Sequence, residues 1–215
     1  SCNDALMQMG DALGGKRFLK YVNDFGYGQK TGIDLPGEAT GKIFTEDTMR
    51  SADLATSSFG QSQTAPTVQM AAFSSVVNGG YYYTPHVVKE IQNENGATVS
   101  EIETQPVHKV VTAETSKLLR GYLYKTVEEG TAKAAQVKGY KVAGKTGTAE
   151  KYPRKKKNYL VSFIGFTPIE HPEVVIYVVI DQPHVEDQAH STYATEFASS
   201  VMGDVLPMLG VYKND

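Results

Sequence analysis

The spacing of apolar positions, interrupted by turn-forming residues, divides the N-terminal half of the 215-residue chain into short helices and turns. Apolar residues at helical spacing predict a helix over residues 1–13 and, after Gly14-Gly15, a second helix over residues 18–25. Turn-forming residues fill the stretch 31–38. The stretch 47–63 is polar and rich in small side chains, so we expect a loop there.

A helix followed by a hairpin is predicted in the next segment. Apolar positions over residues 66–77 favour a helix, which Gly79-Gly80 closes. Tyr81–Tyr83, followed by the apolar residues Val87, Val88 and Ile91, predict the strands of a hairpin with Asn95-Gly96 at its tip. Aromatic residues favour strands, so we interpret the three tyrosines as strand packing rather than as a stacking platform.

Two longer helices are predicted in the C-terminal half. The first begins after Thr112, a favourable N-cap, and ends at Gly130. The second follows the last predicted strand, and Pro207 is expected to end or kink it. We expect each helix to bury one apolar stripe. The stripe is Leu118, Leu119, Tyr122, Leu123 and Val127 in the first helix and Phe197, Val201, Val205 and Leu209 in the second.

Three strands are predicted between these two helices, over residues 140–148, 159–166 and 173–181. The last is apolar on both faces, so we expect it to lie inside the sheet. Strands and helices do not alternate regularly, and this order predicts an α+β fold, an antiparallel sheet flanked by helices. The length fits a single domain over residues 1–215.

Composition excludes two classes of protein. A net charge of −3 and a pI of about 6.0 argue against nucleic-acid binding. The longest apolar run, Val174–Ile180, is seven residues long, well short of a transmembrane helix. The single Cys2 leaves no partner for a disulfide within the chain.

The segment Lys145-Thr146-Gly147-Thr148 offers a compact site for a carboxylate. The two hydroxyls can donate hydrogen bonds, and the ammonium adds positive charge. The missing side chain of Gly147 lets a ligand approach the strand, and an exposed strand edge here can pair with an extended peptide. The Thr148 N–H is then a candidate donor to a developing oxyanion.

Ordered motifs along nearly the whole chain resemble the C-terminal part of a class B penicillin-binding protein, a D,D-transpeptidase that cross-links peptidoglycan. Ser1-Cys2-Asn3 fits the family's S-x-N motif, and Lys145-Thr146-Gly147 fits its K-T-G motif. The blocks between them also match in order, namely Phe25-Gly26-Tyr27-Gly28, residues 31–38, Ser58-Phe59-Gly60-Gln61, Asn78-Gly79-Gly80 and Gly130-Thr131-Ala132. The fold implied is the β-lactamase/D,D-transpeptidase fold.

The resemblance implies a role for each motif residue in acyl transfer through a covalent serine intermediate. Ser1 would pass a proton toward the leaving nitrogen, and Asn3 would bond the amide of the acyl chain. Lys145 would hold Ser1 and supply positive charge. Thr146 and Thr148 would bind the terminal carboxylate, and the Thr148 N–H would form half of the oxyanion hole. The implied ligands are peptidoglycan stem peptides and β-lactam antibiotics.

The family's nucleophile belongs to an S-x-x-K motif, and no serine of this chain has a lysine three residues later. We therefore expect a truncated domain that lacks the S-x-x-K helix and the first sheet strands and is inactive alone. Its partners would be the missing N-terminal half of the domain or, through a bare sheet edge, a second copy. The family resemblance implies a parent protein at the extracytoplasmic face of the bacterial membrane.

Other interpretations of the same residues stay open. Ser1 and Asn3 are also favourable helix caps, and an N-terminal serine can act as a nucleophile with its own amine as base. The whole chain can instead be a non-catalytic module that keeps the fold for binding a partner. The upstream sequence discriminates between these readings, because an S-x-x-K motif there supports a transpeptidase.

Two polar clusters are predicted to have no ligand role. The spacing of His184, Glu186, Asp187 and His190 matches no familiar metal site, so we predict neither a metal nor another cofactor. The basic run 154–157 is interpreted as a solvated loop, although an anionic polymer or lipid head groups would suit its charge.

Overall fold

The computed structural model describes residues 1–213, which fall into two compact units, residues 1–76 with 80–112 and residues 77–79 with 113–213. The prediction of one domain over 1–215, whose last two residues lie outside the described part, stays a prediction. The elements of the first unit are α1 (Asn3–Leu13), α2 (Gly15–Asp24), α3 (Ser51–Ser58), a 3₁₀ helix (Thr67–Ala72), α4 (Phe73–Val77), β1 (Tyr81–Tyr83), β2 (Glu90–Gln92), β3 (Thr98–Glu101) and β4 (Pro106–Lys109). The elements of the second unit are α5 (Ala113–Glu128), a 3₁₀ helix (Lys133–Ala135), β5 (Ala143–Glu150), a 3₁₀ helix (Arg154–Lys156), β6 (Tyr159–Thr167), β7 (Val174–Asp181) and α6 (Thr192–Met208).

The helix α3 lies where a loop was expected, so that prediction is wrong. Its first turn is fixed by the Asp53 carboxylate, which accepts the Arg50 N–H at 3.0 Å. The hydroxyl of Ser58 donates to the carbonyl oxygen of Leu54 (2.7 Å), so its small polar side chain is satisfied within the helix. Leu54 is buried, and packing against α1 stabilises a segment whose composition alone favours a loop.

The turn predicted over residues 31–38 is confirmed, and Glu38 closes it. The Glu38 carboxylate accepts the Thr31 hydroxyl and the Thr31 N–H, both at 2.6 Å, and the Gly32 N–H at 3.3 Å. These donors stabilise the charged carboxylate and lower the pKa of Glu38, the Thr31 hydroxyl contributing most.

The Asn95-Gly96 hairpin tip is confirmed, but its strands pair differently from the prediction. β2 pairs with β3 around this tip, whereas the Tyr81–Tyr83 strand pairs with β4. Val87 and Val88 stay outside the strands because their N–H groups donate to the Asp34 carboxylate at 2.8 and 2.7 Å. The strand interpretation of the tyrosines is confirmed.

The second unit is built on the antiparallel sheet β5-β6-β7, which confirms the predicted α+β arrangement. One face of this sheet, including Phe163 and Val178, packs against α6 in the main apolar core of the unit. In the described part of the chain β7 is an outer strand, so the expectation that it lies inside the sheet is wrong there.

The predicted stripe of α5 is confirmed in part, whereas α6 turns a different face inward from its predicted stripe. In α5, Val127 is buried as predicted, but Leu118 is 55% exposed and the small Ser116 is buried instead. In α6 the small side chains of Ala194 and Ala198 face the core, and Phe197 is 58% exposed. Small residues let α6 approach the sheet closely, so the larger apolar stripe one position away stays outside. Pro207 lies within the last turn of α6, close to the predicted end. Among residues 1–213 we find no helix with the length and apolar character needed to cross a membrane.

Candidate active site

The residues of the K-T-G motif lie inside β5, an outer strand of the three-stranded sheet. Because alternate side chains of a strand point to opposite faces, Lys145 and Gly147 share one face and Thr146 and Thr148 the other. The strand pairs with β6 on one side over its full length, from Ala143 to Glu150. The predicted edge position of this segment is therefore confirmed within the described sheet.

Lys145 is half-buried on its face of the sheet. Its ammonium donates to the carbonyl oxygen of Thr146 at 3.0 Å. Burial disfavours the charged amine and lowers the pKa of Lys145 from its ordinary value of 10.5. A lysine with a lowered pKa both supplies positive charge and releases a proton more readily than a solvated one.

Gly147 is required by packing within the sheet. A Cβ atom at this position would lie 2.5 Å from the hydroxyl oxygen of Ser162, the residue opposite it on β6. A larger residue would force the Ser162 side chain to turn. Packing is thus a reason for this glycine beside the predicted close approach of a ligand.

A hydroxyl from outside β5 also lies close to the motif. The Thr131 hydroxyl lies 3.4 Å from the Thr146 hydroxyl. Sequence reasoning noted the block Gly130-Thr131-Ala132 but gave Thr131 no role, because a contact across fifteen residues has no local signature.

Ser1 and Asn3 belong to the first unit, at the start of α1. The N-cap of this helix is Cys2, whose side chain makes no capping hydrogen bond, and Asn3 is the first helical residue. The alternative in which Ser1 or Asn3 is the N-cap is therefore wrong. Both residues are exposed.

The polar cluster near residue 187 is joined by local hydrogen bonds. The Asp187 carboxylate and the His190 imidazole lie 2.8 Å apart, and the Ala189 N–H also donates to Asp187. These bonds, led by that from Ala189, lower the pKa of Asp187. Nowhere in residues 1–213 do three or more histidine, cysteine or acidic side chains come close enough to hold a metal ion.

The loop that joins β5 to β6 is folded back on itself. Lys151 forms an ion pair with Asp181 at 2.6 Å and donates its N–H to the carbonyl oxygen of Asn158. The Arg154 guanidinium stands 5.5 Å from the Tyr152 ring centre. The interpretation of this basic run as a solvated loop stays a prediction.

Comparisons with known proteins match this chain along almost its whole length. A sequence profile described as the penicillin binding protein transpeptidase domain matches residues 1–203. Stage V sporulation protein D of Bacillus subtilis is 44% identical over 216 residues, which is 98% of this chain and 33% of that protein. Penicillin-binding protein PbpB of Mycolicibacterium smegmatis is 31% identical and is matched by 85% of this chain, over 30% of its own length.

Solved structures agree with this match. Penicillin binding protein 3 of Mycobacterium tuberculosis in complex with aztreonam superposes with a TM-score of 0.87 at 26% identity, over 99% of this chain and 50% of that one. A peptidoglycan glycosyltransferase from Burkholderia ambifaria gives a TM-score of 0.83 at 25% identity, over 99% of this chain and 62% of that one. The chain spans about a third of the length of the two curated relatives, Stage V sporulation protein D and PbpB.

Proposed function

Because this chain belongs to the penicillin-binding protein transpeptidase family, we propose that it forms the C-terminal part of a peptidoglycan D,D-transpeptidase domain. The observation that carries the proposal is the outer strand β5, which bears a half-buried Lys145 on one face and the hydroxyls of Thr146 and Thr148 on the other. This arrangement suits an extended peptide that ends in a carboxylate.

The proposed reaction is acyl transfer in two steps. A serine hydroxyl adds to the carbonyl of the penultimate D-Ala of a stem peptide, the C–N bond breaks, and the terminal D-Ala leaves with the serine's proton on its nitrogen. An amine of a neighbouring stem peptide then attacks the ester and forms the new amide, and the serine recovers a proton. A β-lactam imitates the first substrate and leaves the serine acylated.

The strand residues act on the acyl donor in this scheme. Thr146 and Thr148 bind its terminal carboxylate through their hydroxyls, and the Thr148 N–H donates to the oxyanion. Lys145 supplies positive charge, and its lowered pKa makes its proton easier to release than that of a solvated lysine. Gly147 keeps the strand open to the peptide backbone.

The S-x-N residues complete the proposal for the intact enzyme. Ser1 relays a proton to the leaving nitrogen, and Asn3 bonds the amide of the acyl chain. The match of this family's profile from residue 1 onward supports these two roles.

We propose that the nucleophile lies in sequence outside these 215 residues, which contain no S-x-x-K motif, and that this chain alone is inactive. The apolar outer strand β7 supports a requirement for further strands, because an uncovered apolar edge tends to pair with another chain. The missing N-terminal half of the domain is its proposed partner. The substrate places the enzyme at the extracytoplasmic face of the membrane.

One alternative keeps the same fold without catalysis. The absence of S-x-x-K from these residues favours a non-catalytic penicillin-binding-protein-like interaction module if the upstream sequence also lacks the motif. Sequencing the full gene separates the two functions.

Release of free D-Ala from a stem pentapeptide tests the proposal in the longer transpeptidase chain. Lys145→Met keeps a long unbranched side chain but removes its charge, and we expect turnover to fall about a hundredfold or more, as for loss of an electrostatic catalytic group. The control is Lys20→Met, an exposed lysine paired with Asp24, which should stay within about twofold of the unsubstituted enzyme. Unchanged turnover in Lys145→Met would overturn the proposal.

A further inference from the structure

The hydroxyl of Thr131 reaches the motif from the turn that follows α5. It lies 3.4 Å from the Thr146 hydroxyl, although neither β5 nor a neighbouring strand contributes it. The question is whether this contact is a fixed feature of the turn or a chance approach of an exposed side chain.

The backbone on both sides of Thr131 is held in place. The Ala132 N–H donates to the carbonyl oxygen of Thr126 at 3.1 Å, and Ala132 is completely buried in the core of the second unit. A Cβ atom at Gly130 would lie 2.9 Å from that same carbonyl oxygen, so this position admits glycine without a shift of the turn. Thr131 therefore stands between two anchored neighbours, which keep its side chain beside Thr146.

The chemistry of two hydroxyls gives this contact a direction. A threonine hydroxyl has one proton and two lone pairs. When the Thr146 hydroxyl donates a hydrogen bond to a carboxylate, its oxygen can still accept one. The Thr131 hydroxyl is a donor that lies close to it. A distance of 3.4 Å is long for such a bond, whose usual length is about 2.7–2.8 Å. Hydrogen bonds in active sites are often long without a ligand and shorten in the complex.

We propose that Thr131 is a positioning residue that donates to the Thr146 oxygen and so turns the Thr146 proton toward the carboxylate of the acyl donor. The inference rests on the proposed function of β5. It adds a residue outside the motif that acts on the carboxylate through Thr146 and does not touch the reacting bond.

The test measures the second-order rate of acylation in the longer transpeptidase chain, with benzylpenicillin and with its methyl ester, which lacks the anionic carboxylate. Thr131→Val removes the hydroxyl at nearly constant shape, and we expect a five- to tenfold slower reaction with benzylpenicillin, about the effect of one net hydrogen bond. The rate with the ester should change less than about twofold. Thr131→Ser restores the hydroxyl and should restore the rate.

Two further variants separate positioning from general damage. Thr126→Val removes a hydroxyl that bonds the Tyr122 carbonyl oxygen within α5 and should leave both rates unchanged. The double variant Thr131→Val, Thr146→Val should be no slower than Thr146→Val alone, because Thr131 acts through Thr146.

The remaining outcomes distinguish failure of the role of Thr131 from failure of the proposed function. An unchanged rate with benzylpenicillin in Thr131→Val, or an equal loss with both compounds, would show that Thr131 does not position Thr146. If the unsubstituted chain is not acylated at all, the proposed function fails and this inference fails with it. If acylation proceeds and Thr146→Val alone slows it, the proposed function stands whatever Thr131 does.

Discussion

At the scale of single residues, the chemistry of Lys145 depends on where the fold puts it. Its side chain is half-buried and its ammonium donates to the carbonyl oxygen of Thr146, and burial lowers its pKa below the usual 10.5. The motif itself was visible in the sequence. Neither the burial of Lys145 nor the approach of Thr131 was, because both depend on segments that are distant along the chain.

The lowered pKa of Lys145 predicts a specific dependence of stability on pH. Between the folded pKa and 10.5 the unfolded chain binds more protons at this residue than the folded chain, so its contribution to the free energy of unfolding rises with pH. Lys145→Met removes that contribution. We therefore expect the stability of the unsubstituted chain, relative to Lys145→Met, to increase as the pH rises through the folded pKa toward 10.5 in denaturant titrations.

Lys141 provides the matched control with the opposite sign. Its hydrogen bond to Glu170 raises its pKa above 10.5, so its contribution is complete below 10.5 and is lost as the pH rises through the folded value. Relative to Lys141→Met, the unsubstituted chain should lose stability over that higher range. Parallel curves for Lys145→Met and the unsubstituted chain would contradict the burial of Lys145.

At the scale of elements, periodic patterns located most helices and strands but gave the wrong buried face for α6. The stripe on α6 was predicted from apolar residues at i, i+4 spacing, whereas the structure buries the row one position later, which includes Ala198, Met202 and Leu206. The helix α3 was missed because its residues are small and polar, and its stability comes from α1. Tertiary contacts decided both cases, and a local pattern does not contain them.

The contact of α1 with α3 predicts that Gly10→Ala is destabilising. A Cβ atom at Gly10 would lie 1.8 Å from the Ser58 hydroxyl oxygen and 2.8 Å from its Cβ atom. The helices must move apart, which costs about 1–3 kcal/mol of the free energy of unfolding. Denaturant unfolding of the two chains measures this difference.

Gly121→Ala is the matched control for that substitution. Gly121 lies inside α5, and a Cβ atom there would have no neighbour within 4 Å. Alanine favours a helix over glycine by about 1 kcal/mol, so this variant should be more stable than the unsubstituted chain. Equal stabilisation by Gly10→Ala would show that α1 and α3 do not pack as described.

At the scale of the whole molecule, the order of motifs indicated the family, and the order of predicted strands and helices indicated the α+β class. The sequence did not indicate that β7 lies at the edge of the described sheet. β7 reads as an interior strand because it is apolar, and within residues 1–213 it is nevertheless an outer one. A strand that is apolar on both faces is typical of the interior of a sheet. Its position at the edge is expected if further strands of the sheet lie outside these residues. Pairing of that edge with a second copy stays a prediction.

The most direct test of the central claim is the intact mass of this 215-residue chain after incubation with excess benzylpenicillin, beside that of a longer chain that includes the upstream sequence. Our account predicts an unchanged mass for the 215 residues and a gain of one penicillin for the longer chain. A gain of one penicillin on the 215-residue chain would contradict it, because a reactive nucleophile would then lie within these residues, with Ser1 the first to examine.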